Sequence, residues 1–310
     1  MGLGKLYLRT KHLASLGPRG LFFYYFGFPG LLSSILRARP IPCASKEQSQ
    51  EIHMLLSKQC LAMGLWALYS FLSLSERHDI GVVIHDDGSL DNESAEELNR
   101  LFPGCRIIRR AEADRNMKDF FAAKGLRRCE RLRDGLIFAL KLFDVCVLKH
   151  CDSVILLDCD VLFFKKPEIL LNGPDPARNL FMRDLNPDYC YSIPDSRLDA
   201  LAGNAVSRNL NPGIMKISGD ALDFDRIERC LEDRAFWDKN GSPHYYAELT
   251  LWAMELSHAS HGYLGPEYGF VYSEPGQRLA ACHYCGTFRI KTVHYGEGLL
   301  RLKDTLGLPA

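Results

Sequence analysis

Leu156-Leu157-Asp158-Cys159-Asp160-Val161-Leu162-Phe163-Phe164 decides how this 310-residue chain is read. The apolar run Ser153-Val154-Ile155-Leu156-Leu157 predicts a buried strand that ends at two acids. On an extended chain, carboxylates two positions apart point to the same side, or diverge slightly around a bulge. Apolar residues on both flanks put this pair where a strand leaves the core. Two carboxylates there repel, so either one takes a proton or both share a cation. A hard divalent ion with oxygen ligands, bridging to phosphate oxygens, meets that need. Two surface acids on a solvated turn are the alternative.

Outward from this strand, strands and helices alternate. Ile52-His53-Met54-Leu55-Leu56 predicts a buried strand, and residues 60–74 a helix with Leu61, Leu65, Leu68, Phe71 and Leu72 at helical spacing. A second strand is expected at 80–85, then a helix capped by Asp91 or Asn92 that ends near Phe102-Pro103-Gly104. A third short strand is expected at 105–109, and a helix over 127–148 feeds the strand at 153–157. This succession predicts an α/β fold with a mostly parallel, twisted sheet between helices. Ligands bind beyond the carboxyl ends of such strands, and both Asp86-Asp87 and Asp158/Asp160 sit there. In the second half Asn211-Pro212-Gly213 reads as a turn before a strand at 214–217. Helices are expected at 222–234 and 245–257, and a last strand at 290–293 that ends in His294.

Hydrophobic residues at 47% and charged residues at 25% exclude disorder. Lys+Arg and Asp+Glu balance at 38 each, which excludes the global field of a nucleic-acid binder. Residues 1–46 differ from the rest: they hold no Asp or Glu, but carry Lys5, Arg9, Lys11, Arg19, Arg37, Arg39 and Lys46. The aromatic cluster Phe22 to Phe28 lies among them. Such an arm suits peripheral contact with an anionic bilayer, or packs on the domain at 47–310. Arg39-Pro40-Ile41-Pro42 and the polar run 45–50 read as the linker between the two. The apolar stretch at 21–36 is broken by Gly27, Pro29 and Gly30 and is too short to span. The 11 cysteines are odd in number and irregularly spaced, which favours a reducing, cytoplasmic setting, peripheral on the inner membrane face if the arm binds lipid. Cys282-His283-Tyr284-Cys285 is a single CxxC, a zinc site or simply thiols.

The stretch around Asp158 resembles the DxD signature of GT-A glycosyltransferases, particularly the family-8 type that includes galactosyltransferases and glycogenin. Other segments fall in matching order over residues 51–302. Lys141-Leu142-Phe143 resembles the position whose basic residue reaches the donor's phosphate or sugar. Leu210-Asn211-Pro212-Gly213-Ile214-Met215 resembles the run that lines the sugar pocket, and Val293-His294-Tyr295-Gly296 the late motif whose His is a third metal ligand. Asp86-Asp87-Gly88-Ser89 is similar to the loop whose Asp contacts the nucleoside.

The resemblance implies a GT-A fold and Mn²⁺ or Mg²⁺ held by Asp158, Asp160 and His294. It implies a nucleotide-diphosphate sugar as donor, a UDP-sugar foremost, bound by Asp86, Asp87, Lys141 and Asp158. The acceptor would be a glycan, lipid-linked or a small molecule, and transfer would retain configuration. Asn211 and Glu248 would face the transferred sugar, with Asp184 as a second candidate acid. Where the family often carries Asp-Gln on its penultimate helix, this chain has Glu248 and no Gln. Two rivals stand beside this reading. A nucleotidyltransferase needs a Gly-rich phosphate loop, which Ser57-Lys58-Gln59-Cys60-Leu61-Ala62-Met63-Gly64 lacks. A non-catalytic binding module that kept the fold is the other.

Overall fold

The apolar runs around positions 50, 80 and 153 form neighbouring strands, because each is flanked by a helix that covers one face. A computed structural model describes residues 17–45, 48–173, 175, 177–184, 191–270, 279–285 and 288–308, with the side chains of 19, 20, 24 and 288–294 outside that description. In chain order the strands are β1 (Gln50–Leu56), β2 (Ile80–Asp86), β3 (Arg106–Ile108), β4 (Ser153–Leu157), β5 (Val161–Phe163), β6 (Asn179–Arg183), β7 (Leu210–Ser218), β8 (His261–Tyr263), β9 (Tyr268–Phe270) and β10 (Ala281–His283). Seven make one sheet in the order β3-β2-β1-β4-β7-β6-β8, and β5-β10-β9 make a small second one. Only β7 runs against its neighbours β4 and β6; every other pairing in the large sheet is parallel.

β4 shows the layering by its alternation. Ile155 and Leu157 join a core with the helices Leu61–Ser75 and Phe288–Leu306, whereas Val154 and Leu156 join a core with Arg127–Gly135, Ala139–Leu148 and Ala247–Leu256. The sheet is therefore sandwiched, as expected. The chain leaves β1 towards β2 and β3, then returns to β4 on the other side of β1. That reversal opens a crevice at the carboxyl ends of β1 and β4.

Several expectations are corrected. The helix expected at 127–148 is two helices, Arg127–Gly135 and Ala139–Leu148, with Leu136 extended between them. A helix, Arg110–Lys124, fills a stretch to which the sequence reading assigned nothing. Asn211-Pro212-Gly213 is no turn before a strand: it lies inside β7, where the register with β6 shifts between Phe181 and Met182. Proline and glycine are tolerated there because a bulge interrupts the ladder. The strand expected at 290–293 is part of the helix Phe288–Leu306. Tyr295, Leu299 and Leu302 are all fully buried, and their spacing of four and three residues is helical. The expected linker is also tied down in part, since Ile41, Cys43 and Ala44 donate backbone hydrogen bonds of 2.8–3.0 Å to Leu101, Pro103 and Ile80.

Candidate active site

Asp158 follows the last residue of β4 and Asp160 precedes the first of β5, so their turn joins the two sheets. Two backbone bonds fix it. The Asp158 N–H donates to the Gly213 carbonyl at 2.9 Å, and the Tyr284 N–H donates to the Asp160 carbonyl at 2.9 Å. β10 pairs antiparallel with β5 and sets His283 opposite Val161, one residue past Asp160. The His283 Nε2 consequently lies 3.1 Å from Asp160 Oδ1 and 3.8 Å from Asp158 Oδ2. One ligand atom from each of the three groups lies within 4.8 Å of the others.

The other ring nitrogen decides what His283 can do. Asn211 Oδ1 accepts from the Gly213 N–H at 2.9 Å, and its Nδ2 donates to Asp184 Oδ2 at 3.0 Å. With the amide so oriented, its oxygen 3.0 Å from His283 Nδ1 can only accept, and Nδ1 must carry the hydrogen. The Nε2 lone pair is then aimed at the carboxylates. Two carboxylate oxygens and a neutral imidazole, with its tautomer set from behind, form a donor set that fits a divalent ion such as Mn²⁺ or Mg²⁺. Without an ion, burial opposes a charge on His283, yet Asp160 and then Asp158 outweigh it and raise its pKa. Gly213 is required at its position, since a Cβ there would collide with the His283 ring.

Lys141, on the helix Ala139–Leu148, reaches Asp158 Oδ1 at 3.1 Å from a buried position. Burial acts against its charge, but Asp158 and Glu248 raise its pKa overall, so it stays an ammonium. Glu248, 4% exposed on the helix Ala247–Leu256, shows the opposite balance. Burial pushes its pKa up to about 7, Lys141 draws it down, and Asp158 adds to the rise. Among the described residues its Oε1 and the Nε1 of Trp252 have no partner at hydrogen-bond distance, although Trp252 is near enough to draw the Glu248 pKa down. Buried polar atoms left this way mark a place where a ligand's hydroxyls would fit.

Beside these groups is a cavity of about 300 Å³ whose wall includes Ser57, Asp87, Phe138, Lys141, Asp158 and Asp160. It occupies the crevice between β1 and β4. A larger, open depression of about 400 Å³ is walled by Lys165, Glu168, Glu267 and Tyr268, and contains none of these carboxylates. The interruption between Arg127–Gly135 and Ala139–Leu148 brings Ile137 and Phe138 to the cavity.

The structure thus draws together Lys141, Asp158, Asp160, Asn211 and Asp184, with Glu248 coupled through Lys141. It separates the other acidic pair. Asp86 is spent on its own loop, accepting from Gly88 N at 2.7 Å and Leu90 N at 3.1 Å, while Asp87 lines the cavity. The His294 side chain lies outside the described ones. The ring that meets both carboxylates is His283, which the sequence reading saw only as the interior of a CxxC. The one metal-capable group among the described residues, Asp158 with Asp160 and His283, includes neither Cys282 nor Cys285. Cys282 is buried beside it in β10 and keeps its proton, with its pKa raised to about 12 by burial. Only the pairing of β10 with β5 reveals His283, and no local sequence signal encodes that pairing.

Solved structures share this architecture. The chain is similar to the galactosyltransferase LgtC in complex with donor and acceptor sugar analogs, at 15% identity and a TM-score of 0.54, over 83% of this chain and 95% of that one. An active-site mutant of LgtC matches at 16% identity and a TM-score of 0.55, over 84% and 97%. The fold is GT-A. A third match is the bifunctional glycosyltransferase WbbM, at 9% identity and a TM-score of 0.50, over 84% of this chain and 52% of that one. No protein-family model and no curated protein matches the sequence. At these identities the likeness is one of GT-A architecture. Within that architecture, Asp158 and Asp160 stand at the crevice where the strand order reverses.

Proposed function

We propose that the chain is a metal-dependent glycosyltransferase that moves a sugar from a nucleotide diphosphate, a UDP-sugar foremost, to a glycan or another hydroxyl-bearing acceptor. One observation carries this reading: Asp158, Asp160 and the Nε2 of His283 converge beside Lys141 at the mouth of the crevice. The glycosyltransferase neighbours support it, one of them having been solved with donor and acceptor sugar analogs.

Asp158, Asp160 and His283 would hold Mn²⁺ or Mg²⁺. When bound, that ion neutralises charge developing on the diphosphate as the bond to the anomeric carbon breaks. Lys141 supplies a second positive charge to the same oxygens from within the protein. The apolar edge of Ile137 and Phe138 suits the nucleoside, with Asp87 as a polar partner in the same wall. Glu248, holding its proton near neutral pH, and Asn211 would face the transferred sugar, while Asp184 acts by orienting Asn211. Retention of configuration follows from the family-8 resemblance, whereas Glu248 acting as a base on the acceptor hydroxyl would give inversion; the anomeric configuration of the product tests this. A reducing, cytoplasmic setting is part of this reading, on the odd number and irregular spacing of the 11 cysteines.

Thermal stabilisation by UDP with Mn²⁺, against UDP with EDTA, is the first test. A site of this kind gives a metal-dependent rise in midpoint through ligand linkage, and a bare scaffold gives none. A nucleotide-sugar hydrolysis panel with Mn²⁺, on wild type and Asp160→Ala, tests the chemistry; silence of the wild type across the panel overturns it. The nucleotidyltransferase rival gains nothing from the structure. β1 runs into a Ser57-capped 3-10 turn, Lys58–Cys60, with no glycine-rich loop.

A further inference from the structure

Residues 17–37 form a continuous helical segment: Gly17–Phe22, a π turn at Phe23–Gly27, Phe28–Ser34, and a 3-10 end at Ile35–Arg37. Its inner face is built into the protein. Ile35 is fully buried, the Trp66 Nε1 donates to the Leu31 carbonyl at 3.1 Å, and Phe28 meets the Tyr295 ring edge-on at 6.2 Å. Phe23 packs so closely on Gly296 that a Cβ there would collide with its ring. This segment is therefore a fixed part of the domain surface.

Its outer face is another matter. Phe22, Tyr25 and Phe26 are 69%, 56% and 72% exposed, and Leu36 lies further along at 38%. Positions 22, 25, 26, 29 and 36 recur at helical spacing, with Pro29 also exposed, and the Phe22 and Phe26 rings pack at 5.2 Å. A soluble surface seldom presents such a cluster without a partner. Its charge context selects the partner. Arg37 and Arg39 are exposed at its end, the preceding chain carries Lys5, Arg9, Lys11 and Arg19, and no acid occurs before Glu47. Aromatic rings beside basic groups with no acids among them match the interface of an anionic bilayer.

We infer that the outer face of residues 17–37 docks on an anionic lipid surface, with Phe22, Tyr25 and Phe26 entering the headgroup boundary and Arg37 and Arg39 meeting the lipid charge. The inner face of the same segment reaches towards the site through Phe28, Tyr295 and Tyr284. The last two rings are 5.2 Å apart, and the Tyr284 backbone holds Asp160. The binding itself does not depend on the transferase reading.

The test is co-sedimentation of the full chain with phosphatidylcholine vesicles containing phosphatidylglycerol, compared with phosphatidylcholine alone. Expected are binding to the anionic vesicles only, weakening as salt rises, and a loss of at least ~10-fold in partition for Phe22→Ser/Tyr25→Ser/Phe26→Ser at an unchanged thermal midpoint. Arg37→Glu/Arg39→Glu, altered only at the surface, should weaken binding too and carries the test if the aromatic variant unfolds. Asp160→Ala should bind like wild type, which separates a failed docking face from a failed active site. Absence of vesicle binding, or equal partition of wild type and both variants, overturns the inference. So does light scattering that shows a wild-type dimer, abolished by the aromatic variant, with no vesicle binding.

Discussion

At Asn211 one amide oxygen receives the Gly213 N–H and the His283 Nδ1–H, while its nitrogen reaches Asp184. Removing that oxygen frees the imidazole to rotate and to change tautomer. Asn211→Ala should weaken Mn²⁺ binding by ~10- to 100-fold, as loss of a partner behind a liganding histidine does elsewhere. A Mn²⁺ titration followed by electron paramagnetic resonance measures this, and wild-type affinity would show that the amide does not orient the ring. Gly213→Ala acts on the same pair by collision. It should lower stability by ~1–3 kcal/mol in urea unfolding, with Mn²⁺ affinity falling alongside because His283 has to move. Of these groups, Asp158, Asp160, Asn211 and Lys141 were legible in the sequence as chemical types in telling places. His283 was not, because what makes it a candidate ligand is a neighbour 123 residues away in the chain.

At the scale of elements, the interrupted pair Arg127–Gly135 and Ala139–Leu148 is held by one buried ion pair. Arg133 Nε and Nη2 bond the two Asp144 oxygens at 2.7 and 2.8 Å, and Nη1 reaches Asp114 at 2.8 Å. Burial raises the Asp144 pKa, and Arg133 opposes the rise. Arg133→Met would leave that carboxyl buried and unpaired, at an expected cost of ~3–5 kcal/mol; Arg133→Met/Asp144→Leu should recover a large part of it. A double-mutant cycle in urea decides, and additive losses would mean that the two side chains act independently. Periodicity showed helix on both sides of Leu136 but not the break, since Leu136, Ile137 and Phe138 continue the apolar pattern. The late helix was misread for a related reason. Gly296 and Gly298 punctuate it like a strand end, while its helical stripe, Tyr295 with Leu299 and Leu302, emerges only against the core.

Across the whole molecule, β1 carries an unusual polar layer on the face turned away from Ile52, Met54 and Leu56. Glu51 Oε2 lies 3.1 Å from His53 Nε2, and His53 Nδ1 lies 2.9 Å from His85 Nε2. If Glu51 accepts from His53 and His53 from His85, the chain ends on a bare His85 Nδ1, which has no partner among the described residues. Burial lowers the pKa of both histidines, so the folded protein keeps them neutral. The unfolded chain then binds more protons as pH falls through 6.5, and stability drops by up to ~1.4 kcal/mol per pH unit for each histidine. Glu51, whose pKa falls to about 2 because bonds from His53 and His150 and the charge of Arg106 outweigh burial, extends the loss below pH 4.5. Urea midpoints at pH 7.5 and 5.5 should therefore differ, and the difference should shrink in His85→Asn. Equal midpoints in wild type would contradict neutral burial.

The amino-acid order alone determined the parallel α/β frame and the acids at its strand ends, because apolar periodicity and strand-end acids are local properties of a chain. Tertiary structure alone decided which imidazole meets those acids, which way its lone pair points, that Asp86 closes a loop while Asp87 lines the cavity, and that the aromatic arm has one face built in and one exposed. Each of these rests on pairing between segments far apart in the chain, and pairing is set by how the two cores fill rather than by any local pattern.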